Sequence, residues 1–419
     1  VDYPYAHVRW TEQRNMQAFV ELVATGQISP ARRITHRLAV DDALRSYELL
    51  RDPAGGASPI GIVVSYPESA VPDPAWRSIT MKTAHAPVAG TLGIGFIGAG
   101  TFAKSVLLPA LKKEKDAGLL VLCTATGVSA VSSAEKYGFA EATSDPARIF
   151  QNPAVNTIFI ATRHDLHAEY VCRALGAGKH VFVEKPLALS AEELSSVTEA
   201  YRKAAAKTPP VLTVGFNRRF SAHALAARER LIQRTTPLTL LCRVSAGKLA
   251  ADSWVRDAQA SGGRILGEVC HFVDLCAFLT GSTPCRVYAA SLSSAERRDL
   301  TAEDSVAVTL EYKDGSLATI QYFSTGSSGL DKERIECHAG GVSVVIDDFT
   351  TTEVMMANGR RENPMSGRQD KGHRQEIAGF LSAVRSGGPD PISVESLFQT
   401  TAATLAILDS LRTAKPVTV

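Results

Sequence analysis

The sequence predicts an α/β protein: a doubly wound parallel sheet followed by an α+β domain with a largely antiparallel open sheet. Three observations predict it. Between residues 91 and 215 short apolar runs (LGIGFIG, LLVLCTA, TIFIAT, HVFVE and VLTVGF) alternate with helical stretches, as strands covered on both faces by crossover helices do. Over residues 216–419 the texture changes. Helical GEVCHFVDLCAFLTG precedes SVAVTLEY, LATIQYFS and GVSVVIDD, where apolar and polar residues alternate as in strands with one face in water, and turn-forming KDG at 313–315 separates two of them. A length of 419 residues, 45% of them hydrophobic, suffices for two or three cores.

Upstream of the sheet, residues 1–67 read as two helices and a strand. One helix starts at Thr11, with Met16, Phe19, Val20 and Val23 expected to face inward, and stops at Gly26. The other follows Asp41 with Ala43, Leu44, Tyr47 and Leu50 on one face, and PIGIVVSYP closes the segment. Residues 68–90, rich in Pro, Ala and Ser and without periodicity, read as a linker. The 45 basic and 43 acidic side chains nearly cancel, and no Lys/Arg run is dense enough to follow a nucleic-acid backbone or an anionic membrane. The seven cysteines are scattered and form no C-x-x-C pair, which predicts no metal site and reduced thiols in a cytoplasmic protein. No apolar run approaches the ~18 residues of a membrane helix. The chain begins at Val1, so a fragment or processed product is expected.

GFIGAGTFAKS sets Gly98, Gly100 and Ala103 in G-x-G-x-x-A spacing after a strand and at the start of a helix, with Thr101 and Phe102 inside the motif. Gly98 permits the tight turn, Gly100 lets backbone approach a pyrophosphate, and Ala103 keeps helix close to strand; the helix N-terminus faces the anion. An ordinary glycine-rich turn is the competing reading of an isolated match. This one opens the alternating region, so a Rossmann domain binding a dinucleotide is expected. The second strand runs into Cys123, Thr124, Ala125 and Thr126, with neither an acid for the ribose hydroxyls nor an arginine for a 2′-phosphate. NAD and NADP both remain open, and Thr124 is either a ribose contact or a turn residue.

GKHVFVEKPLALS, residues 178–190, ends a run of strand formers on Lys185, wedged between Glu184 and Pro186. The proline biases Lys185 away from helical geometry, so the lysine stands where a parallel strand runs out, which is where such sheets bind ligands. An ammonium held there can stabilise negative charge developing on a substrate oxygen. A surface lysine paired with Glu184 is the alternative.

The glycine loop, ALGAGKHVFVEKP at 174–186, VGFNRRF at 214–220 and GGRILGEVCHFVD at 262–274 together resemble the Gfo/Idh/MocA oxidoreductases, from about Gly93 to the C-terminus. The resemblance implies an NAD- or NADP-dependent enzyme acting on a secondary alcohol or ketone of a sugar, sugar nucleotide or cyclitol. It implies that Lys185 contacts substrate, that Glu184 lies near the nicotinamide and that His271 is the general acid/base; Thr162 matches the threonine of the family's Thr-Pro-Asn. Relatives also include glycosidases that work by transient oxidation and elimination, and a non-catalytic sugar-sensing regulator. The aspartate frequent four residues before the histidine is Gly267 here, followed by Glu268. On an α-helix Glu268, His271 and Asp274 share one stripe, so a carboxylate could orient the imidazole and raise its basicity; Glu268 is read as a substrate-site candidate, swung by ~100° from the family's aspartate, and Asp274 as structural. Asn217 and Arg218 are read as substrate hydroxyl and phosphate contacts, or as a hinge ion pair. Trp254 either stacks on a sugar or nicotinamide face or fills the core. Arg163 and His164 replace the family's Pro-Asn and reach the cofactor or an anionic substrate, or else lie in a solvated loop; His167 reads as packing, and His373 as an outlying candidate. Residues 1–67 resemble the last stretch of a medium-chain, alcohol-dehydrogenase-like enzyme without its cofactor loop or zinc-ligand region, which implies a fusion remnant. An exposed open sheet predicts a homo-oligomer formed through it.

Overall fold

The apolar runs without alternation form the parallel sheet expected of them. The structure is a computed structural model that describes residues 10–51, 58–66, 77–81, 92–114, 116–250, 252–292 and 305–419, divided into two units, Val1–Asp73 and Pro74–Val419. In the first unit a helix spans Glu12–Ala24, capped by the Thr11 hydroxyl and followed by Gly26 at φ +74°. A second helix, Arg45–Arg51, joins two parallel strands, β1 (His36–Ala39) and β2 (Ile62–Ser65). The inward reading of the first helix is corrected: Met16, Phe19 and Val20 are exposed, as are Leu44, Tyr47 and Leu50 on the second, and none of the unit's described residues is buried. Two short helices and a strand pair hold too little surface to cover those side chains.

In the second unit, β3 (Ser78–Thr80), β4 (Leu92–Ile97), β5 (Ala117–Cys123), β6 (Glu141–Thr143), β7 (Thr157–Ile160), β8 (His180–Val183) and β9 (Leu212–Val214) form a sheet in the order β3-β6-β5-β4-β7-β8-β9. All pairs are parallel except β3 with β6. Part of the expected linker is therefore an edge strand; the rest of 68–90, apart from Arg77 and Met81, lies outside the described residues. The chain builds β4, β5 and β6 to one side, then restarts at β7 on the other, and such a reversal opens a crevice at the strands' carboxyl ends. Ile97 pairs with Ile160 and Ile160 with Val183, so the glycine loop, Thr162 and Lys185 leave the sheet at one level.

The second domain is a nine-stranded sheet among the described residues: β10 (Thr239–Ser245), β11 (Pro284–Ser291), β12 (Val306–Tyr312), β13 (Leu317–Phe323), β14 (Glu333–Ala339), β15 (Val342–Asp347), β16 (Thr351–Met355), β17 (Arg361–Ser366) and β18 (Val417–Thr418). It is antiparallel except where β10 pairs with β13. The helices Cys270–Thr280 and Val394–Thr413 cover one face. The boundary at 215/216 is less clean than the sequence implied. Helix His373–Ser386 returns to the first domain, where Phe380 meets Phe159 and Phe182 edge-on at 5.5 and 5.6 Å, with Ile377 and Leu381 in the same core.

Candidate active site

Gly98 sits at φ +94°, and a Cβ there would lie 2.4 Å from the carbonyl oxygen of Ala161 at the end of β7. Only glycine meets both demands. Around Gly100 nothing stands within 4 Å of a Cβ position, so its backbone faces open space where a helix begins, at Thr101. That is a cradle for a pyrophosphate, and the residues fit a dinucleotide. Phe102, 40% exposed, stands at the loop 5.7 Å from the His373 ring, while Ala103 is buried against the strand. After β5, Thr124 donates its hydroxyl to the Thr126 carbonyl at 2.8 Å and keeps its lone pairs. Ser129 and Ser144, which the sequence reading passed over, also line this end; Ser144 is visible only once β6 is placed beside β5.

These residues border one cleft of about 1200 Å³, whose other end brings together Thr162, Arg163, His164, Glu184, Lys185, Asn217, Arg218, Trp254, His271, Lys371 and His373. Among the described lining side chains only Asp165 and Glu184 are acids. Lys185 follows β8 and donates its ammonium to the Gly267 carbonyl at 2.7 Å, so the charge is anchored by a backbone dipole and not by a carboxylate. Glu184 is buried beneath, its carboxyl oxygens 2.9 Å from where a Cβ on residue 215 would stand; Gly215 makes that room. Burial pushes the Glu184 carboxyl up to about 7, against the pull of the Lys185 charge. Glu376, also buried, has an oxygen with no partner, and burial, then the nearby Glu184 charge, push its carboxyl well above the usual range.

His271 is buried where helix Cys270–Thr280 begins, edge-on to Phe216 at 6.3 Å. Its Nδ1 has no hydrogen-bond partner, and burial, then the Arg218 and Lys185 charges, hold the imidazole well below its usual pKa. Among the described residues neither Glu268 nor Asp274 hydrogen-bonds Nδ1, so the orienting role left open to Glu268 is corrected, while Asp274 is engaged elsewhere. Residues Ile265–Val269 form a π-helical turn, whose extra residue breaks the three-residue stripe assumed for an α-helix. Glu268 turns instead to Tyr322 (2.8 Å) and Arg264 (3.2 Å), with Lys332 at 3.8 Å, while Asp274 accepts from Nε and Nη2 of Arg219.

Arg218 forms a bidentate pair with the fully buried Glu333 at 2.7 and 2.8 Å, and Lys371 joins at 2.7 Å. Burial raises the Glu333 carboxyl, but the two cations outweigh it and bring it down to about 2. Asn217 donates to the Lys371 carbonyl at 2.7 Å. Both residues border the cleft while tying β14 and the 370–373 turn to the end of β9. Trp254 is 38% exposed on a short turn and so is not a core residue; its ring meets the His164 edge at 4.8 Å. Thr162 donates to the Arg163 carbonyl at 3.0 Å, and buried His167 puts its ring nitrogens against the carbonyls of Pro186 (2.8 Å) and Thr162 (3.4 Å), joining two cleft loops. Gly267 has its own constraint: a Cβ there would be 2.9 Å from Cε1 of His164. Gly267→Ala is expected to lower stability by ~1–3 kcal/mol through this overpacking, and His164→Ala in the same chain to recover at least part of it. Urea midpoints of the four-member cycle measure the coupling; additive losses would mean the ring gives way freely.

Residues 92–216 match the oxidoreductase family with an NAD-binding Rossmann fold, and residues 236–342 match the GFO/IDH/MocA C-terminal domain. The chain carries both domains of a Gfo/Idh/MocA oxidoreductase. An inositol 2-dehydrogenase of Rhizobium meliloti is 28% identical over 305 residues, 71% of this chain and 90% of that protein. A myo-inositol 2-dehydrogenase of Thermotoga maritima is 26% identical, over 73% of this chain and 90% of that protein. A solved levoglucosan dehydrogenase in complex with NADH and levoglucosan superposes with a TM-score of 0.67 at 23% identity, over 78% of this chain and 99% of that one, a likeness of fold. As a Gfo/Idh/MocA oxidoreductase the chain is an NAD(P)-dependent enzyme acting on CH–OH groups. No described helix is long and apolar enough to cross a membrane.

Proposed function

We propose that this oxidoreductase interconverts a secondary alcohol and a ketone on a sugar, sugar nucleotide or cyclitol, with Lys185 and His271 as its catalytic residues. The observation that carries the reading is the meeting of an anchored ammonium and a buried imidazole whose Nδ1 has no hydrogen-bond partner in the cleft where the dinucleotide cradle opens. When bound, NAD(P) supplies the hydride acceptor or donor. Glu184 would border its nicotinamide end. In the oxidation His271 takes the hydroxyl proton and Lys185 stabilises the negative charge developing on the oxygen, so a carbinol becomes a carbonyl. Asn217 and Arg218 bind the substrate's polar groups, and Trp254 covers a sugar face. Glu268, turned away to Tyr322, helps hold that wall of the site instead of touching the reacting atoms. Net formation of NADH or NADPH on a panel of myo-inositol, D-glucose, D-xylose and levoglucosan tests the reading. Release of a reducing sugar without net reduced cofactor, or binding without turnover, would overturn it.

NAD and NADP are expected to differ in affinity by less than ~10³-fold, because no carboxylate follows β5 at Thr124–Thr126 to repel a 2′-phosphate. Fluorescence titration of both nucleotides checks this. A larger preference for NAD would place another acid at the ribose.

The protein works in the cytoplasm as a homo-oligomer. Tyr288, Thr309, Thr319 and Leu241 stand in one row across β11, β12, β13 and β10 on the uncovered sheet face, which supports pairing through it. The parallel β1–β2 pair with its intervening helix supports the reading of residues 1–67 as a medium-chain dehydrogenase remnant.

A further inference from the structure

His164 opens the short turn after β7 and is 7% exposed, yet nothing in the reaction proposed above employs it. Its ring is fixed on three sides. Nδ1 lies 2.8 Å from the Ser261 carbonyl, Trp254 meets the ring edge-on at 75°, and Gly267 underlies Cε1. The Ser261 support is itself held, since its hydroxyl donates to the Val255 and Asp257 carbonyls at 2.7 and 2.8 Å. A carbonyl only accepts, so Nδ1 carries the ring hydrogen and Nε2 presents a lone pair. No described residue satisfies that lone pair, and unlike Nδ1 of His271 it is not sealed inside the protein. His164 is one of the residues that line the cleft. Burial first, and then the Lys185 charge, hold the His164 pKa down to about 3, so the lone pair persists at neutral pH.

We propose that His164 is a specificity residue: its Nε2 accepts a hydrogen bond from a substrate hydroxyl next to the carbinol that reacts, so the site selects vicinal diols over isolated secondary alcohols. This rests on the function proposed above. The chemistry of the acceptor narrows the ligand, because a neutral imidazole lone pair has nothing to offer a carboxylate or phosphate oxygen, whereas a hydroxyl can donate to it. The placement supplies the vicinal relation. Lys185 bonds the carbonyl of Gly267, and a Cβ on the same residue would stand 2.9 Å from Cε1 of His164, so both side chains meet the cleft beside one residue of the scaffold, within reach of neighbouring oxygens of one substrate. Lys185 takes the reacting oxygen and His164 its neighbour.

The experiment compares kcat/KM for trans-1,2-cyclohexanediol and myo-inositol with that for cyclohexanol, with NAD⁺ and NADP⁺, in the full chain and in its His164→Phe and His164→Gln variants. Phenylalanine keeps a ring against Trp254 and removes the lone pair; glutamine offers an amide donor and acceptor. In His164→Phe the diol-to-alcohol ratio is expected to fall about tenfold or more, chiefly through KM, the worth of one lost hydrogen bond, with partial recovery in His164→Gln. In ¹⁵N-histidine spectra of the NADH complex, Nε2 of His164 should carry the lone pair and shift when myo-inositol is added. An unchanged ratio in a folded His164→Phe protein overturns the proposal, as does a spectrum with the hydrogen on Nε2. Oxidation of the polyols without any dependence on His164 removes this inference alone. Failure to oxidise any of the three compounds with either nucleotide removes the proposed function and this inference with it.

Discussion

Lys185→Met is expected to lower kcat by about 10²–10³-fold, the scale of losing one preorganised stabiliser of a developing oxyanion. The substitution nearly keeps the side chain's volume and removes only the ammonium. Because Nζ is fixed to the Gly267 carbonyl at 2.7 Å and no described carboxylate hydrogen-bonds it, its charge is available to the reacting oxygen without reorganisation. The variant should therefore bind NADH as the parent does, since the pyrophosphate cradle at Gly98–Ala103 is untouched. Steady-state rates with an accepted polyol and a separate NADH titration distinguish the two effects. Unchanged turnover would show that the ammonium only braces the loop around Gly267.

The parts of this site that sequence reports well are those set by local backbone. Gly98 needs a positive φ, and Thr11 and Gly26 bound a helix whose ends are visible in the residue types alone. Lys185 was legible because a strand and a proline fix its position along the chain. The losses have a common cause in contacts between distant residues. Helix His373–Ser386 has an ordinary amphipathic pattern, and nothing in that pattern says that Phe380 packs on Phe159 and Phe182 of the first domain. The strand Ser78–Thr80 is too short to show alternation and exists through its pairing with Glu141–Thr143. Glu268 was misplaced because a π-helical turn leaves no mark in the spacing of residues 265–269, and its partners Tyr322 and Lys332 lie more than fifty positions away. The tautomer of His164 depends on the Ser261 carbonyl, 97 positions along the chain.

His271→Asn is expected to reduce kcat/KM for alcohol oxidation by about 10²–10⁴-fold, the usual worth of a positioned general base. The pH profile of the parent enzyme then tests the state of that base. Burial, with the charges of Arg218, Lys185, His373 and Lys332, disfavours the imidazolium, so the folded pKa lies well below 6.5 and the neutral, proton-accepting form persists as pH falls through that value. The profile should lack a histidine limb near 6.5. His164 and His373, held to about 3 and about 4, contribute nothing there either. Glu184, pushed up to about 7 by burial, is the neighbouring group that does titrate in this window. A limb near 7 that disappears in Glu184→Gln is therefore the carboxyl's. One that survives in Glu184→Gln at that pH belongs to His271, and it would mean that the imidazole has a carboxylate or water partner that the buried, unpartnered Nδ1 does not show.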